Sequence, residues 1–230
     1  MCPSSPPPPA SGPRRLPAAR RRKQLTDVAL ELFGTGSYHA TSMDDIAERA
    51  GVTKPVLYQH FPSKSQLYLE LIETVGEELL ASVAASAAAE PQPSARVLAG
   101  FRAYFRFVAE QTDAFRLLFG GGARQGDEFA EAIRSVERSI AETIAGLIDV
   151  ELEADHLELL GYAIVGLAEV TSRQWVLRHE ESLATTTGAS RVGLDPAEGD
   201  VLAGRLADLV WAGLRGLPGP PHGDPADSDP

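Results

Sequence analysis

The stretch from Thr41 to Lys64, TSMDDIAERAGVTKPVLYQHFPSK, constrains this chain more than any other. Ser42 and Asp45 have the spacing of a capping box, in which each side chain satisfies a backbone N–H group at the start of a helix. We therefore predict a helix over Met43–Arg49. Gly51 follows it, where a left-handed backbone carries no side-chain penalty, and this position predicts a tight turn.

A second short helix is predicted directly after that turn. Thr53 takes the capping position, and Pro55 lies in the first helical turn, where its missing N–H group costs little. Two short helices joined by a glycine turn make a helix-turn-helix, which we place at about residues 42–61. In such a unit the second helix lies in the major groove of DNA and reads base edges.

The outward-facing side chains of this unit are candidates for DNA contact. They are short or planar hydrogen-bonding groups and cations, the types that reach phosphates and base edges. The predicted DNA-binding residues are Ser42, Thr53, Lys54, Pro55, Tyr58, Gln59, His60 and Lys64. We assign phosphate contact to Thr53, Tyr58 and Lys64, and sequence choice to Lys54 and Gln59, with His60 as a further candidate. The alternative is that the aromatic rings only cover the helical hairpin.

Charge is distributed unevenly along the chain. The formal net charge of −11 would, alone, argue against nucleic acid as a partner. Residues 1–64, however, carry nine Lys or Arg against five Asp or Glu, and every lysine lies there. A basic run that begins with Arg14 and Arg15 precedes the helix-turn-helix and is predicted to add salt-dependent affinity for the DNA backbone. The residues of the predicted arm are Arg20, Arg21, Arg22 and Lys23. The alternative is a solvated charge run that only aids solubility.

These motifs resemble the DNA-binding head of the TetR family of one-component regulators. The resemblance rests on ATSMDDIA at residues 40–47 and GVTKPVLYQHFPSK at residues 51–64, and it covers about residues 20–80. GSY at residues 36–38 departs locally from the family pattern, in which glycine usually directly precedes the aromatic residue. The resemblance implies an all-α fold of about nine helices, with a three-helix head and a helical ligand-binding and dimerisation domain.

Composition and periodicity set the predicted domain limits. Residues 1–17 contain seven prolines and residues 218–230 contain five, so both are predicted to be disordered tails. The head is placed at residues 18–80 and the ligand-binding and dimerisation domain at residues 81–217. The first helix of the head is predicted at about residues 18–33, with Gly34 and Gly36 ending it. A long helix from Lys64 to about Ala88 belongs to both, so a shift at one end is expected to move the other.

Aromatic residues cluster at helical spacing in the second domain. Such a stripe is common in plain core, but it also suits an apolar ligand cavity, and the resemblance favours the cavity. The candidate lining residues are Phe101, Tyr104, Phe105, Phe115, Phe119, Phe129, Tyr162 and Trp175. Arg102, Arg106 and Arg116 are candidate partners for an acidic group on the ligand. The predicted effector is a small apolar compound, such as a long acyl compound or a hydrophobic drug.

One helix, predicted at about residues 154–178, is apolar nearly all round. Such a helix must be covered on both sides, by its own domain and by something else. The resemblance implies that this helix and the last one, which runs to about Leu217, pair with those of a second subunit as a four-helix bundle. The candidate interface residues are Leu160, Ile164, Leu167, Val210 and Leu214. The polar stretch 179–194 is predicted to be a loop.

The sequence accordingly predicts a homodimeric, ligand-responsive transcription factor, specifically a repressor that its effector releases from a palindromic operator. The alternatives are an activator of the same family and an architectural protein that binds DNA without sequence choice. A third alternative is an enzyme with an incidental helical hairpin. Against it, the five histidines show no metal-ligand spacing, and no nucleophile or phosphate-binding motif stands out.

Neither a metal nor a cofactor is expected. Cys2 is the only cysteine, which excludes an intrachain disulfide and a cysteine metal site. The longest uncharged apolar run, at residues 159–168, is about half the length of a membrane span, so no membrane association is predicted. A cytoplasmic location follows as the expectation.

Overall fold

The computed structural model describes residues 17–120, 127–148, 152–185 and 193–217. Within those ranges the chain forms nine α-helices and no strand, which confirms the predicted all-α fold. The helices are α1 (Ala18–Thr35), α2 (Met43–Arg49), α3 (Lys54–His60), α4 (Lys64–Ala88), α5 (Pro93–Glu110), α6 (Thr112–Phe119), α7 (Asp127–Leu147), α8 (Ala154–Thr185) and α9 (Pro196–Arg215). Apart from Pro17, the two predicted tails lie outside the described residues.

The capping box at the start of α2 forms as predicted. The Asp45 backbone N–H donates to the Ser42 hydroxyl oxygen at 3.2 Å, and the Ser42 backbone N–H donates to the Asp45 carboxylate at 2.8 Å. Hydrogen bonds from the Ser42 hydroxyl and backbone N–H lower the pKa of the Asp45 carboxyl. Gly51 then turns the chain with φ of +64°. Thr53 lies at the N-cap of α3, but its side chain makes no capping hydrogen bond, contrary to the prediction.

Helix α4 connects the head to the rest of the molecule. Ser63 caps it by accepting from the Gln66 backbone N–H at 3.1 Å, and the helix runs over the predicted range. Its first turns bury Leu67 and Leu71 next to the head, and its later turns pack against α5 and α7. At 25 residues it is about 37 Å long.

The remaining helices pack around α4 and α5. Helix α5 packs on α4 and α9, α7 packs on α4 and α8, and α6 packs on α1. Two glycines permit close packing against α7, since a Cβ atom at Gly161 would lie 2.4 Å from the Ala141 carbonyl oxygen and one at Gly76 would lie 2.6 Å from Val136 Cγ2. None of the helices in the described ranges has the length and apolar character needed to cross a bilayer.

Two helices extend further than the sequence predicted. Helix α8 continues to Thr185 through part of the predicted loop, because residues 179–185 contain good helix formers and neither glycine nor proline. Residues 186–192 lie outside the described residues. Helix α1 continues past Phe33 through Gly34, which packs directly against Asp113 of α6.

Candidate DNA-binding face and ligand cavity

One side of α3 is open to solvent. Thr53, Lys54, Pro55 and Gln59 are exposed there, and Tyr58 is 47% exposed although it is a large aromatic residue. Leu57, on the opposite side of the helix, is fully buried. Helix α3 therefore presents five of the predicted DNA-binding residues along one continuous surface, while its apolar side holds it to the head.

Lys54 lies in an acidic local environment. Its Nζ atom is 2.6 Å from the Asp44 carboxylate, and both side chains are well exposed. The hydrogen bond and the negative charge of Asp44 raise the pKa of the Lys54 amine, so it is a cation at neutral pH. An exposed ion pair of this kind contributes little to stability. Lys54 is therefore available to exchange Asp44 for a phosphate or a base edge.

Ser42 and His60 lie at the margins of this surface. Ser42 is exposed, but its hydroxyl belongs to the α2 cap. His60 ends α3 and is only partly exposed, and its ring lies 6.5 Å from that of Phe61. The structure thus places both residues beside the α3 surface and gives Ser42 a local structural role in addition.

Lys64 differs from its predicted role. Its Nζ atom donates to the backbone carbonyls of Tyr38 at 2.8 Å and Thr41 at 3.0 Å, and it lies 4.1 Å from the centre of the Tyr38 ring. The ammonium group is directed inward, where it bonds to two carbonyl groups of the α1–α2 connection. Lys64 therefore joins that connection to α4, and the prediction of a phosphate contact is corrected accordingly.

Arg22 of the predicted basic arm is also part of the head. Its guanidinium donates to the His60 carbonyl at 2.8 Å, pairs with Glu70, and lies 4.3 Å from the centre of the Phe61 ring. It therefore links α1 to α3 and α4. Its partners lie 38 to 48 residues away in the sequence, so the charge run gave no sign of this role.

The other arm residues lie on the first two turns of α1. Arg20 is exposed, Arg21 donates to the Gln24 side chain at 2.8 Å, and Lys23 pairs with Asp27 at 2.8 Å. The pairing with Asp27 raises the pKa of the Lys23 amine. These three cations remain near the surface at the N-terminal end of α1, whereas Arg14 and Arg15 lie outside the described residues.

An apolar cavity of about 100 Å³ lies among α4, α5, α7, α8 and α9. Three of the predicted lining residues, Phe101, Tyr104 and Phe119, contribute to its wall. Most of the wall is aliphatic and comes from Leu79, Val83, Ala87, Val97, Ile140, Ile144, Leu147, Ile148, Ile164, Val165 and Leu214. These aliphatic residues could not be assigned to a cavity from the sequence, because their periodicity is the same as that of ordinary core.

The other predicted lining residues lie elsewhere. Phe105 is core against Trp175, whose indole N–H donates to Glu198 at 2.9 Å. Phe115 of α6 packs against Phe119 and lies beside the head. Tyr162 is 40% exposed on the outer side of α8. Since aromatic residues at helical spacing occur in core, joints and surfaces alike, their spacing did not separate these roles.

Four polar-capable residues line the cavity. They are Arg96, Tyr104, Glu169 and Trp211. Arg96 donates to the backbone carbonyls of Glu90 at 2.9 Å and Pro91 at 3.3 Å. The arginines proposed from sequence lie outside the cavity: Arg102 is near Asp200, and Arg116 bonds to acidic side chains of α6 and α8.

An aromatic cluster joins the head to the body. Phe129 of α7 lies 4.6 Å from the ring of Tyr38 and 4.7 Å from that of Tyr68, and Phe33 lies 5.0 Å from Tyr68. Burial raises the pKa of Tyr68 to about 12. Phe129 thus belongs to the contact between the two parts of the molecule, and not to the cavity as predicted.

Helix α6 makes a second joint with α1. A Cβ atom at Gly34 would lie 2.5 Å from Asp113 Cβ, so the two helices are in direct backbone contact there. Arg116, on the next turn of α6, bonds to Asp113 at 2.8 Å and to Glu180 of α8 at 2.6 Å. Since Phe119 at the end of the same helix lines the cavity, α6 contacts both the cavity and the head.

Helices α8 and α9 carry large apolar side chains that the chain itself leaves exposed. These are Leu159, Tyr162, Leu167, Val170 and Leu177 on α8, and Val201 and Leu209 on α9. Of the predicted interface residues, Leu167 belongs to this set and Leu160 and Ile164 are half-buried. Val210 and Leu214 point into the chain's own core, because α9 packs that side against α5, which corrects their assignment.

Comparison with known proteins agrees with this architecture. A model of the bacterial regulatory proteins of the tetR family matches residues 25–71, and a model of the tetracyclin repressor-like C-terminal domain matches residues 93–212. The chain belongs to the tetR family. It is a helix-turn-helix transcriptional regulator, as the sequence predicted, and no described group of His, Cys, Asp or Glu side chains is arranged to hold a metal ion.

Two relatives in the tetR family align over most of the chain. It is 34% identical over 206 residues to the transcriptional activator FasR of Mycolicibacterium smegmatis, covering 89% of this chain and 87% of FasR. It is 29% identical over 210 residues to the transcriptional regulator TcmR of Streptomyces glaucescens, covering 85% and 91%.

Solved structures share the fold. A TetR-like transcriptional regulator from Rhodococcus sp. RHA1 superposes with a TM-score of 0.66 at 25% identity, covering 88% of this chain and all of that one. The regulator FadR of Bacillus subtilis, solved in complex with stearoyl-CoA, superposes with a TM-score of 0.68 at 16% identity, covering 83% and 98%. The latter likeness concerns the fold alone.

Proposed function

We propose that this tetR-family regulator acts as a homodimer that binds a palindromic operator and responds to a small apolar effector. The observation that carries the proposal is the pairing of an exposed α3 surface with an apolar cavity elsewhere in the same chain. In the proposed complex Lys54 and Gln59 read base edges, and Thr53 and Tyr58 contact phosphates. Lys64 is left out of this contact set because its amine is bonded within the head.

Two joints support a connection between cavity and head. Helix α4 lines the cavity with Leu79 and Val83 and begins next to α3, and α6 contacts the cavity through Phe119 and α1 through Asp113. An effector that binds one of two arrangements of these helices more tightly would favour that arrangement, by the difference between its two binding free energies. The head would then move with α4 and α6. Two heads must lie about 34 Å apart to read one palindrome, so a small shift is expected to weaken binding.

Whether the regulator represses or activates transcription is a separate question from how it binds DNA. The sequence favoured a repressor, and release from DNA by an effector fits that role. The relative FasR is named as an activator, which supports the alternative predicted from the sequence. A reporter placed behind the selected operator distinguishes the two, because expression on addition of the regulator falls for a repressor and rises for an activator.

Selection of DNA from a random library by the purified chain tests the proposed recognition. We expect a two-fold symmetric consensus with half-sites one helical turn apart, or a multiple of it. The Lys54→Ala variant should select an altered or relaxed consensus at one position of each half-site. Enrichment of no consensus would favour an architectural protein, and the proposal of a specific operator would be withdrawn.

A further inference from the structure

The apolar cavity contains a buried polar corner. Tyr104 of α5 lines the cavity and is 9% exposed, whereas Ser172 of α8 is fully buried next to Tyr104 and does not itself line the cavity. Neither hydroxyl meets the geometry of a hydrogen bond to another described group, although the two hydroxyls lie close to each other. Burial raises the pKa of the Tyr104 phenol, and the nearby Ser172 hydroxyl offsets only part of that effect. Both groups are therefore neutral hydrogen-bond donors at physiological pH.

Buried hydroxyls without partners are uncommon in folded proteins, because each has lost its hydrogen bonds to water without replacing them. A phenylalanine and an alanine would fill the same positions without that cost. An ordered water held by Glu169, or the oxygen of a ligand, would satisfy these hydroxyls, because Glu169 lines the same cavity. The oxygen of an effector that fills the cavity would take the place of that water.

The charge next to this corner limits the kind of oxygen that fits. Glu169, one turn before Arg173 on α8, is 8% exposed, lines the same cavity and pairs with Arg173. Arg173 balances its negative charge and has a buried Nε without a hydrogen-bond partner among the described residues. A ligand carboxylate would add a second negative charge beside this pair, with one cation to balance the two. A neutral carbonyl or hydroxyl oxygen avoids that repulsion and still accepts hydrogen bonds.

We propose that the effector is a neutral oxygenated apolar compound, a ketone, ester or alcohol, whose oxygen accepts a hydrogen bond from the Tyr104 hydroxyl beside Ser172. The inference rests on the proposed role of the cavity as the effector site and specifies its ligand class. The apolar remainder of the compound lies along the aliphatic wall from α4 and α7. Arg96, at the α4–α5 end of the cavity, is the site that an acidic ligand would use instead.

Binding of 2-decanone and of decanoate to the full chain tests the proposal. Trp211 lines the cavity, so quenching of its fluorescence reports occupancy, and calorimetry gives the affinity independently. We expect 2-decanone to bind more tightly than decanoate at pH 7. The Tyr104→Phe variant should bind 2-decanone about three- to tenfold more weakly, which corresponds to the loss of one net hydrogen bond.

Three variants make the result specific. Ser172→Ala should also weaken 2-decanone binding, and Tyr162→Phe, which removes a hydroxyl from the exposed side of α8, should bind as the unchanged chain does. The Tyr104→Phe protein should melt at the same temperature or higher without ligand, because it loses an unsatisfied buried group. Arg96→Gln should leave 2-decanone binding unchanged.

Two results would overturn the ligand class. One is unaltered 2-decanone affinity in both Tyr104→Phe and Ser172→Ala. The other is tighter binding of decanoate than of 2-decanone, lost in Arg96→Gln. Operator binding is measured separately on ligand-free protein, so either result would leave the proposed DNA recognition standing. Loss of operator selection with intact 2-decanone binding would instead remove the proposed function and not the ligand class.

Discussion

Lys64 shows how a single residue holds the head together. The ammonium group bridges two backbone carbonyls in the α1–α2 connection and covers the Tyr38 ring. The carbonyls belong to residues 23 and 26 positions earlier in the chain, so α4 is fixed to a segment that precedes the helix-turn-helix. In this way the Lys64 side chain fixes the position at which α4 begins relative to α1.

The Lys64→Met variant is predicted to destabilise the chain. Methionine keeps the apolar stem but removes the ammonium group and both of its hydrogen bonds inside the head, at a cost of about 1–3 kcal/mol. Chemical denaturation followed by circular dichroism measures the change. The matched control is Lys54→Met, whose exposed partner Asp44 remains in water, so its stability should change little. Equal stability of the two variants would contradict the inward role of Lys64.

Tyr68 predicts how stability depends on alkaline pH. Burial raises its pKa to about 12 in the folded chain, whereas an exposed tyrosine in the unfolded chain titrates near 10. Below pH 10 both states are protonated and the contribution is fully present. As pH rises from 10 to 12, the unfolded chain releases the proton first, so stability falls.

Melting temperatures measured between pH 9 and pH 12 check this prediction. The Tyr68→Phe variant should show a shallower decline than the unchanged chain, because one of the groups responsible is gone. Some decline should persist, since burial raises the pKa of Tyr104 in the same direction. Superimposable pH profiles for the two proteins would show that Tyr68 does not titrate differently in the folded and unfolded states.

Features that depend on neighbouring residues could be predicted from the sequence, whereas the roles of residues with distant partners could not. The Ser42–Asp45 cap and the Gly51 turn were predictable because each depends on residues within a few positions. The inward roles of Arg22 and Lys64 were not, because a cation looks the same in a sequence whether it faces a phosphate or a carbonyl.

At the level of helices, the contact between α1 and α6 is the closest link between head and body. It exists because Gly34 has no side chain at the point where α1 meets Asp113 of α6. The sequence suggested that Gly34 ends α1, since glycine is common after helices, but here it is a helix–helix contact inside the helix. The same sequence pattern serves both purposes, and only the packing partner separates them.

The Gly34→Ala variant is predicted to force this joint apart. A methyl group would lie 2.5 Å from Asp113 Cβ and 2.7 Å from its Cα, and backbone atoms cannot give way locally. We expect a loss of about 1–3 kcal/mol in the free energy of unfolding, as for other overpacked contacts. Thermal unfolding, together with operator affinity with and without effector, measures both stability and coupling.

Gly146→Ala is the matched control for that substitution. Gly146 lies within α7, and a Cβ atom there would meet nothing within 4 Å. Alanine in a helix loses less conformational entropy than glycine on folding, so this variant should be more stable by about 0.5–1 kcal/mol. If Gly34→Ala were stabilising too, the contact between α1 and α6 would have to be looser than described.

At the scale of the whole molecule, α8 and α9 carry most of the large apolar side chains that remain exposed to water among the described residues. The sequence predicted that the apolar helix α8 needs cover on two sides. Helices α5, α6, α7 and α9 of its own domain cover one of them and leave Leu159, Val170 and Leu177 exposed on the other. The helix could be identified from the sequence, but some of the residues predicted for the dimer interface lie on its inward side. Periodicity alone cannot distinguish two apolar faces of one helix. Val170 and Leu209, at 57% and 58% exposed, mark the outward one.

A charge on that surface is therefore predicted to separate the proposed dimer. In a two-fold interface each substitution appears on both subunits, so Val170→Glu would place two carboxylates in one apolar contact. Sedimentation analysis should give twice the 24.5 kDa chain mass for the unchanged protein and the single chain mass for the variant. Affinity for a palindromic operator should fall because one head can then read only one half-site.

Ser82→Glu is the control, because it adds the same charge at an exposed position of α4, away from α8 and α9. It should remain dimeric and bind the operator as the unchanged chain does. A dimeric Val170→Glu protein would move the interface to another surface. A monomeric unchanged protein would leave the exposed apolar side chains unexplained and remove the geometric reason for a palindrome, since the spacing of two heads follows only from a fixed contact between two chains.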